Sequence, residues 1–157
     1  MTIIKQGQGL AVSIARIILG IIFFAHGWQK LFTFGMDGVK ANFETMGAPV
    51  PGVSAWFAAL AEFIGGGLLI VGLAVPVVSV ILILDMIGAI FIAHIDAGFW
   101  VNDGGYELVL ALIAGLLAVG FAKQGFLAVD TYIVKAATAG KTAQVTPATV
   151  EKAGADS

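Results

Sequence analysis

The sequence predicts an all-α membrane protein built as a four-transmembrane-helix antiparallel bundle, and three observations carry that class. Four apolar stretches, 10–32, 53–73, 75–95 and 106–122, reach bilayer-spanning length. With 157 residues, 59% of them hydrophobic, and a mean hydropathy of +1.00, the chain has too few polar side chains to cover a water-soluble globule. In hydrocarbon each segment must satisfy its own backbone, so such runs of alanine, leucine and isoleucine become helices rather than open sheet.

The first span follows Lys5 and could pass for a signal peptide. It lacks a small-x-small cleavage site and carries Arg16, which makes it a retained helix. In the loop 33–52, Val39, Phe43 and Met46 stand at i, i+4, i+7 spacing, and Lys40 and Glu44 form an i, i+4 pair. That pattern fits a short amphipathic helix on the outer surface, ended at Gly47-Ala48-Pro49, with an ordinary polar connector as the alternative. Gly72 to Pro76 leaves room only for a tight hairpin, so the second and third spans are antiparallel neighbours. The loop 96–105 is glycine-rich, free to fold back over the bundle mouth, and carries Phe99 and Trp100, aromatics suited to the headgroup level. Beyond Val134 the chain turns to Ala, Thr, Gly and Lys without periodicity. The transmembrane domain is therefore 1–134, and 135–157 is a disordered cytoplasmic tail.

Lys5, Lys123 and Lys135 fall on the side that holds both termini, whereas the opposite loops carry Asp37, Glu44, Asp96 and Asp103 against Lys40. Both termini are then cytoplasmic. A net charge of −2 gives no reason to propose nucleic acid as a partner. Cysteine is absent, which removes disulfides, thiolate nucleophiles, iron-sulfur ligation and CxxCH haem attachment.

Seven ionisable groups lie in or at the ends of the apolar spans: Arg16, His26, Lys30, Glu62, Asp85, His94 and Glu107. Each is costly there and needs a partner or a purpose. At 100° per residue, Arg16, Gly20, Phe23, Gly27 and Lys30 fall within about 40° of one line, with His26 about 80° to one side. Ala55, Ala58, Ala59, Glu62 and Gly66 share a stripe of small residues that admits a neighbouring backbone and encloses the carboxyl group. The Gly65-Gly66-Gly67 run lacks a preceding strand and GxGxxG spacing, so it is a packing feature. From the cytoplasmic edge, Arg16 lies at roughly 9 Å, Asp85 at about 15 Å, Glu62 at about 17 Å and His26 at about 24 Å, with His94, Lys30 and Glu107 near about 30 Å. Beside Arg16 or Lys30, Glu62 can stay ionised, either as a structural ion pair or as part of a binding cavity. Asp85 and His94 are nine residues apart and point in opposite directions on a straight helix. An outward Asp85 would have to meet a neighbouring helix or a second subunit, which makes its face a candidate for homo-oligomer contact.

Several of these residues resemble motifs of the DoxX family of small bacterial integral membrane proteins. The resembling pieces are Arg16 to Gly20, His26-Gly27 with Lys30-Leu31-Phe32, Glu62 with its glycines, His94 followed by Gly98-Phe99, and Gly105-Tyr106-Glu107. They run in order from about Ala15 to Asp130. The resemblance implies a four-helix protein of the bacterial cytoplasmic (inner) membrane, linked to oxidoreductase complexes and to quinone-reducing, DoxD-type subunits. Carried over, the candidate polar site is Arg16, His26, Lys30, Glu62, His94 and Glu107; Asp85 is outside that pattern, which favours turning His94 inward.

The first functional expectation is a subunit that binds quinone or a similar lipid-soluble redox molecule and manages its protons. Quinone reduction consumes protons, histidine and carboxyl groups can donate them, and Phe23, Trp28 and Tyr106 can flank a ring. No flavin, iron-sulfur or nicotinamide motif is present, so a soluble or membrane redox partner would supply electrons. The alternative is a non-catalytic anchor or assembly subunit. A lesser alternative has His26 and His94 ligating b-type haem or, with Glu62 and Glu107, a metal. A solute conduit is disfavoured, because the polar line stops below Arg16.

Overall fold

In a computed structural model, residues 2–122, 128–131 and 133 are described. Lys123, Lys135, the domain boundary at 134 and the expected tail 135–157 lie outside them. The described chain is helical, without strands.

Helix α1, Thr2–Trp28, passes through a wider π-helical turn at Gln29–Phe34 into α2, Gly35–Thr45. Nothing between Lys30 and Phe34 removes a backbone donor, so the helix persists with i→i+5 bonds until Gly35, at φ 72° and ψ 151°, redirects it. The expectation of a loop beginning at residue 33 is corrected accordingly: helix continues to Thr45, and the true connector is the short stretch 46–50. Buried Val39 fixes α2 against α3.

Helix α3, Pro51–Val71, starts with proline in its first turn and runs antiparallel to α1, its principal neighbour. The small-residue stripe makes that approach possible: Ala55, Ala58, Ala59, Glu62 and Gly66 are all buried. A Cβ on Gly66 would run into the backbone of Phe24 and stand 2.8 Å from the Gly20 carbonyl oxygen. The helix ends at Gly72, φ 75°, where the Gly72 and Leu73 N–H groups both donate to the Leu68 carbonyl, at 2.9 and 3.0 Å. Helix α4, Val75–Ala89, follows at once and continues through a π-helical turn at Ile90–His94. Two single 3₁₀ turns, Ile95–Ala97 and Val101–Asp103, lead to α5, Glu107–Gly120, which packs on α4 and α1.

Leu19, Phe23, Leu69, Val75, Leu82 and Leu116 belong to the apolar core between these helices. Equally apolar side chains, among them Ile14, Ile18, Leu84, Phe91 and Leu117, face outward. Three helical stretches, Gly7–Thr45, Pro51–Val71 and Val75–Ala97, are long and apolar enough to cross a membrane. Helix α5 has 14 regular residues, shorter than the expected span 106–122, because a separately bonded loop holds the chain up to Tyr106. The chain thus has three to four apolar helices that could span a membrane.

Candidate functional site

A cavity of about 920 Å³ lies at the end of the bundle opposite the α3–α4 hairpin. Phe23, His26 and Lys30 reach it from α1 and its extension, at i, i+3, i+7 spacing. Glu62 enters from α3, Asp85 from α4 and His94 from the π-helical turn beyond it; α2 adds Asn42 and Phe43, and the connector after it adds Met46. The remaining wall is mainly aliphatic and aromatic, so polar contacts made inside are poorly screened by water.

Lys30 and Glu62 form a direct ion pair, their side chains 20% and 6% exposed. Of the two cations the sequence left open for Glu62, the structure selects Lys30. Asp85 is 8% exposed, and its Oδ2 is buried with no hydrogen-bond partner among the described residues. It lies within electrostatic reach of both Glu62 and Lys30.

Asp85 and His94 both line this cavity, which corrects the expectation that they oppose each other and that Asp85 marks an outward, oligomer-forming face. The reason is local. The opposition holds for 3.6 residues per turn, but Ile90–His94 is wound with i→i+5 bonds, and that wider turn changes the phase of His94 relative to Asp85. Each histidine is oriented by backbone: His26 Nδ1 lies 2.9 Å from the Ile22 carbonyl oxygen and His94 Nδ1 lies 2.6 Å from that of Gly104.

Arg16 and Glu107 sit elsewhere. The Arg16 guanidinium, fully buried, donates to the Leu69 carbonyl and, at 3.0 Å, to that of Ile70, at the C-terminal end of α3. It does not reach Glu62, because the Ile70 carbonyl, past the last helical donors, and the Leu69 carbonyl, which receives the Gly72 N–H at 3.2 Å and has a lone pair to spare, compete for it close to its own level. Glu107 accepts from the Val101 N–H at 3.0 Å, so it positions the 3₁₀ loop rather than facing a ligand. That loop carries Gly104, which holds His94, and backbone bonds from Tyr106 to Gly98 at 3.1 Å and from Glu107 to Phe99 at 2.9 Å close it.

Of the aromatic residues expected to flank a ring, only Phe23 lines the cavity. Trp28 is half-exposed and packs at a tilt against Phe24, Phe32 and Phe63 on the outside of the bundle, at centroid distances of 6.3, 4.5 and 6.2 Å. Tyr106 packs edge-on against Phe99 at 5.7 Å. Phe57 and Phe43 take their place at the wall. His26 and His94, the candidate metal or haem ligands, share the cavity; among the described residues no group of three or more His, Asp or Glu side chains is arranged to hold a metal ion.

Asp130 was not singled out by sequence reasoning. Its carboxylate accepts from the Ala74 and Val75 N–H groups at 3.0 and 3.2 Å, and its own N–H donates to the Gly72 carbonyl at 3.1 Å. The available signal was the bare N-terminus of α4, which offers unpaired N–H groups to any nearby acid.

Comparison with known proteins places the chain in a family. A protein of Bacillus subtilis (strain 168), "Putative oxidoreductase CatD", is 37% identical over 120 residues, covering 76% of this chain and 84% of the relative. "Uncharacterized membrane protein Rv3486" of Mycobacterium tuberculosis (strain ATCC 25618 / H37Rv) is 28% identical over 134 residues, covering 79% and 82%. No solved structure matches the chain. The DoxX family model matches residues 11–95, a stretch that supplies Lys30, Glu62, Asp85, His26 and His94 to the cavity, and the chain belongs to the DoxX family of membrane proteins.

Proposed function

We propose that the protein is a quinone-binding or proton-handling subunit of a membrane-associated oxidoreductase complex, holding a lipid-soluble ring in the cavity beside Lys30, Glu62, Asp85, His26 and His94. One observation carries the reading. Acid and base groups from separate helices converge in a single apolar-walled cavity of about 920 Å³, a volume suited to one organic ligand, whose apolar wall strengthens polar contacts. A DoxX relative named as an oxidoreductase supports the redox class.

In this reading α1, α3, α4 and α5 with its flanks all cross the bacterial cytoplasmic membrane, both termini are cytoplasmic, and the cavity lies toward the outer face under α2. Quinone chemistry couples electron transfer to proton transfer at the ring oxygens. The chain's own share is to orient the ring, exclude water and hold protons at the carboxyl and imidazole groups. Electrons come from a partner protein, because the sequence carries no flavin, iron-sulfur or nicotinamide motif.

The test is mild extraction of the full chain with its surrounding lipid, followed by identification of bound small molecules and co-purifying proteins. Co-extracted quinone, lost in His26→Ala and Glu62→Gln variants that still accumulate in the membrane, is the expected result. Variants that lose only accumulation, with no ligand ever recovered, would instead assign the chain as an anchor subunit.

A further inference from the structure

The seam between α3 and α4 changes character along its length. Toward the hairpin it is tight: a Cβ on Gly65 of α3 would stand 3.3 Å from the Leu82 side chain of α4. Further along α4, a Cβ on Gly88 would meet nothing within 4 Å. Gly88 keeps ordinary helical backbone, so neither a turn nor a close helix contact accounts for a residue that weakens a helix interior. The positions around α4 show where the gap leads. At 100° per residue, Asp85 stands about 60° round the helix from Leu82, Gly88 about 120° and Leu84 about 160°. Exposure follows that order, from 0% at Leu82 and 8% at Asp85, through half-buried Gly88, to 59% at Leu84. From α3, Val53 and Phe57 are exposed as well, and with Leu84 and Gly88 they line the cavity. Side chains that line a cavity and face outward at once stand where its wall is open, and this opening is apolar. Just inside it, Asp85 Oδ2 is buried with no hydrogen-bond partner among the described residues. On α1 and α5 the exposed lining residues include His26 and Leu108, and both carry full side chains.

We propose that this gap is a side portal through which a lipid-soluble ligand enters from the bilayer, its alkyl tail remaining lodged between Phe57 of α3 and Leu84 and Gly88 of α4 while its headgroup lies beside Asp85. The inference rests on the quinone-class reading and adds the route of entry and the seat of the tail. An alkyl chain is the occupant that suits a gap walled by apolar side chains, because it brings no polar group to be left unpaired there. The missing side chain at Gly88 lets that chain pass close to the α4 backbone, a use for which glycine is the default residue. The headgroup, carried inward past Gly88, then arrives at the carboxyl that the protein itself leaves without a hydrogen bond.

The experiment uses the full chain in lipid nanodiscs and a benzoquinone whose decyl tail carries a photoreactive diazirine, with labelled residues read by mass spectrometry. Excess unlabelled decyl-benzoquinone is the competitor, and a diazirine-bearing phospholipid marks the residues that any acyl chain reaches. Labels on Phe57 and Leu84 that are lost under competition are expected. Displaceable labels on Ile22, His26 or Leu108 instead, or gap labels that the phospholipid gives equally and the quinone does not displace, overturn the portal while a quinone that binds above empty nanodiscs leaves its site standing. If the quinone shows no binding above empty nanodiscs, the quinone reading fails and this inference falls with it. Gly88→Trp fills the gap and is expected to weaken quinone binding about tenfold while melting like wild type, since its Cβ starts in open space. Phe91→Trp, on the outward face beyond α4, is expected to change neither. A Gly88→Trp chain that melts normally and binds the quinone as wild type does overturns the portal. The wild-type labelling pattern decides the matter even where that variant does not fold.

Discussion

At the α3–α4 hairpin, Arg16 and Asp130 bind backbone; at the far end of the same bundle, Lys30, Glu62, Asp85, His26 and His94 surround a cavity. The hairpin groups replace hydrogen bonds that helix ends cannot make for themselves. A guanidinium sits on the last carbonyls of α3 and a carboxylate on the first N–H groups of α4, each with the sign that the helix dipole favours. The space there is closed: a Cβ on Gly72 would stand 2.6 Å from Arg16 Nη1 and 2.7 Å from Ala128 Cα. At the cavity end, side chains meet side chains around open volume, and Asp85 Oδ2 and the two Nε2 atoms are left over. A costly group inside an apolar bundle is therefore structural or functional according to what its polar atoms touch, and its cost alone does not say which.

The contrast can be broken by mutation, and the largest effect belongs to the hairpin. Arg16→Leu removes the donor to the Leu69 and Ile70 carbonyls inside a fully buried contact and is expected to cost about 3–5 kcal/mol, seen as loss of membrane accumulation and of a cooperative melt in detergent. If Arg16→Leu accumulates and melts like wild type, the structural assignment of that arginine is wrong. Gly66→Ala forces a methyl group against the Phe24 backbone and Gly20 oxygen where neither can yield easily, at about 1–3 kcal/mol, read from the same melt. Asp130→Ala uncaps α4 and lowers stability by about 1 kcal/mol; an unchanged unfolding midpoint would detach it from the hairpin. Asp85→Asn sharpens the comparison from the other side. Its Oδ2 has no hydrogen-bond partner to lose among the described residues, so stability shifts by less than about 1 kcal/mol while ligand binding changes, and a collapse of the fold would move Asp85 into the structural class. Smallest of all, Ser79→Ala deletes a buried hydroxyl that has no hydrogen-bond partner among the described residues and is expected to be neutral or stabilising by up to about 1 kcal/mol.

Much of the fold was legible along the chain. The second span and the hairpin follow from unbroken apolar runs and from Gly72 with Pro76, and the structure places α3 and α4 over nearly the expected residues. The stripe from Ala55 to Gly66 announced a close helix contact, and α1 makes it. Less legible were the places where helix period changes. Composition does not distinguish a π-helical turn from an α-helical one, so the extension through Gln29–Phe34 and the rotation of His94 were hidden. Helix α4 is apolar on every side, and periodicity therefore gave Asp85 no face. The candidate set from sequence divides accordingly. His26, Lys30, Glu62 and His94 meet in the cavity, Arg16 serves backbone at the far hairpin and Glu107 serves backbone in the loop beside the cavity, and Asp85 joins although the resembling motifs did not include it.

Sequence alone determined that this chain is helical, membrane-embedded and DoxX-like, because hydropathy, run length and short motifs are local properties that need no knowledge of neighbours. Which charge meets which partner was decided only in three dimensions. Lys30 rather than Arg16 holds Glu62, Asp85 turns inward, and the loop tied by Glu107 brings Gly104 to His94. Those outcomes depend on the phase of each helix at the point of contact, and a single wider turn resets that phase without leaving a mark in composition.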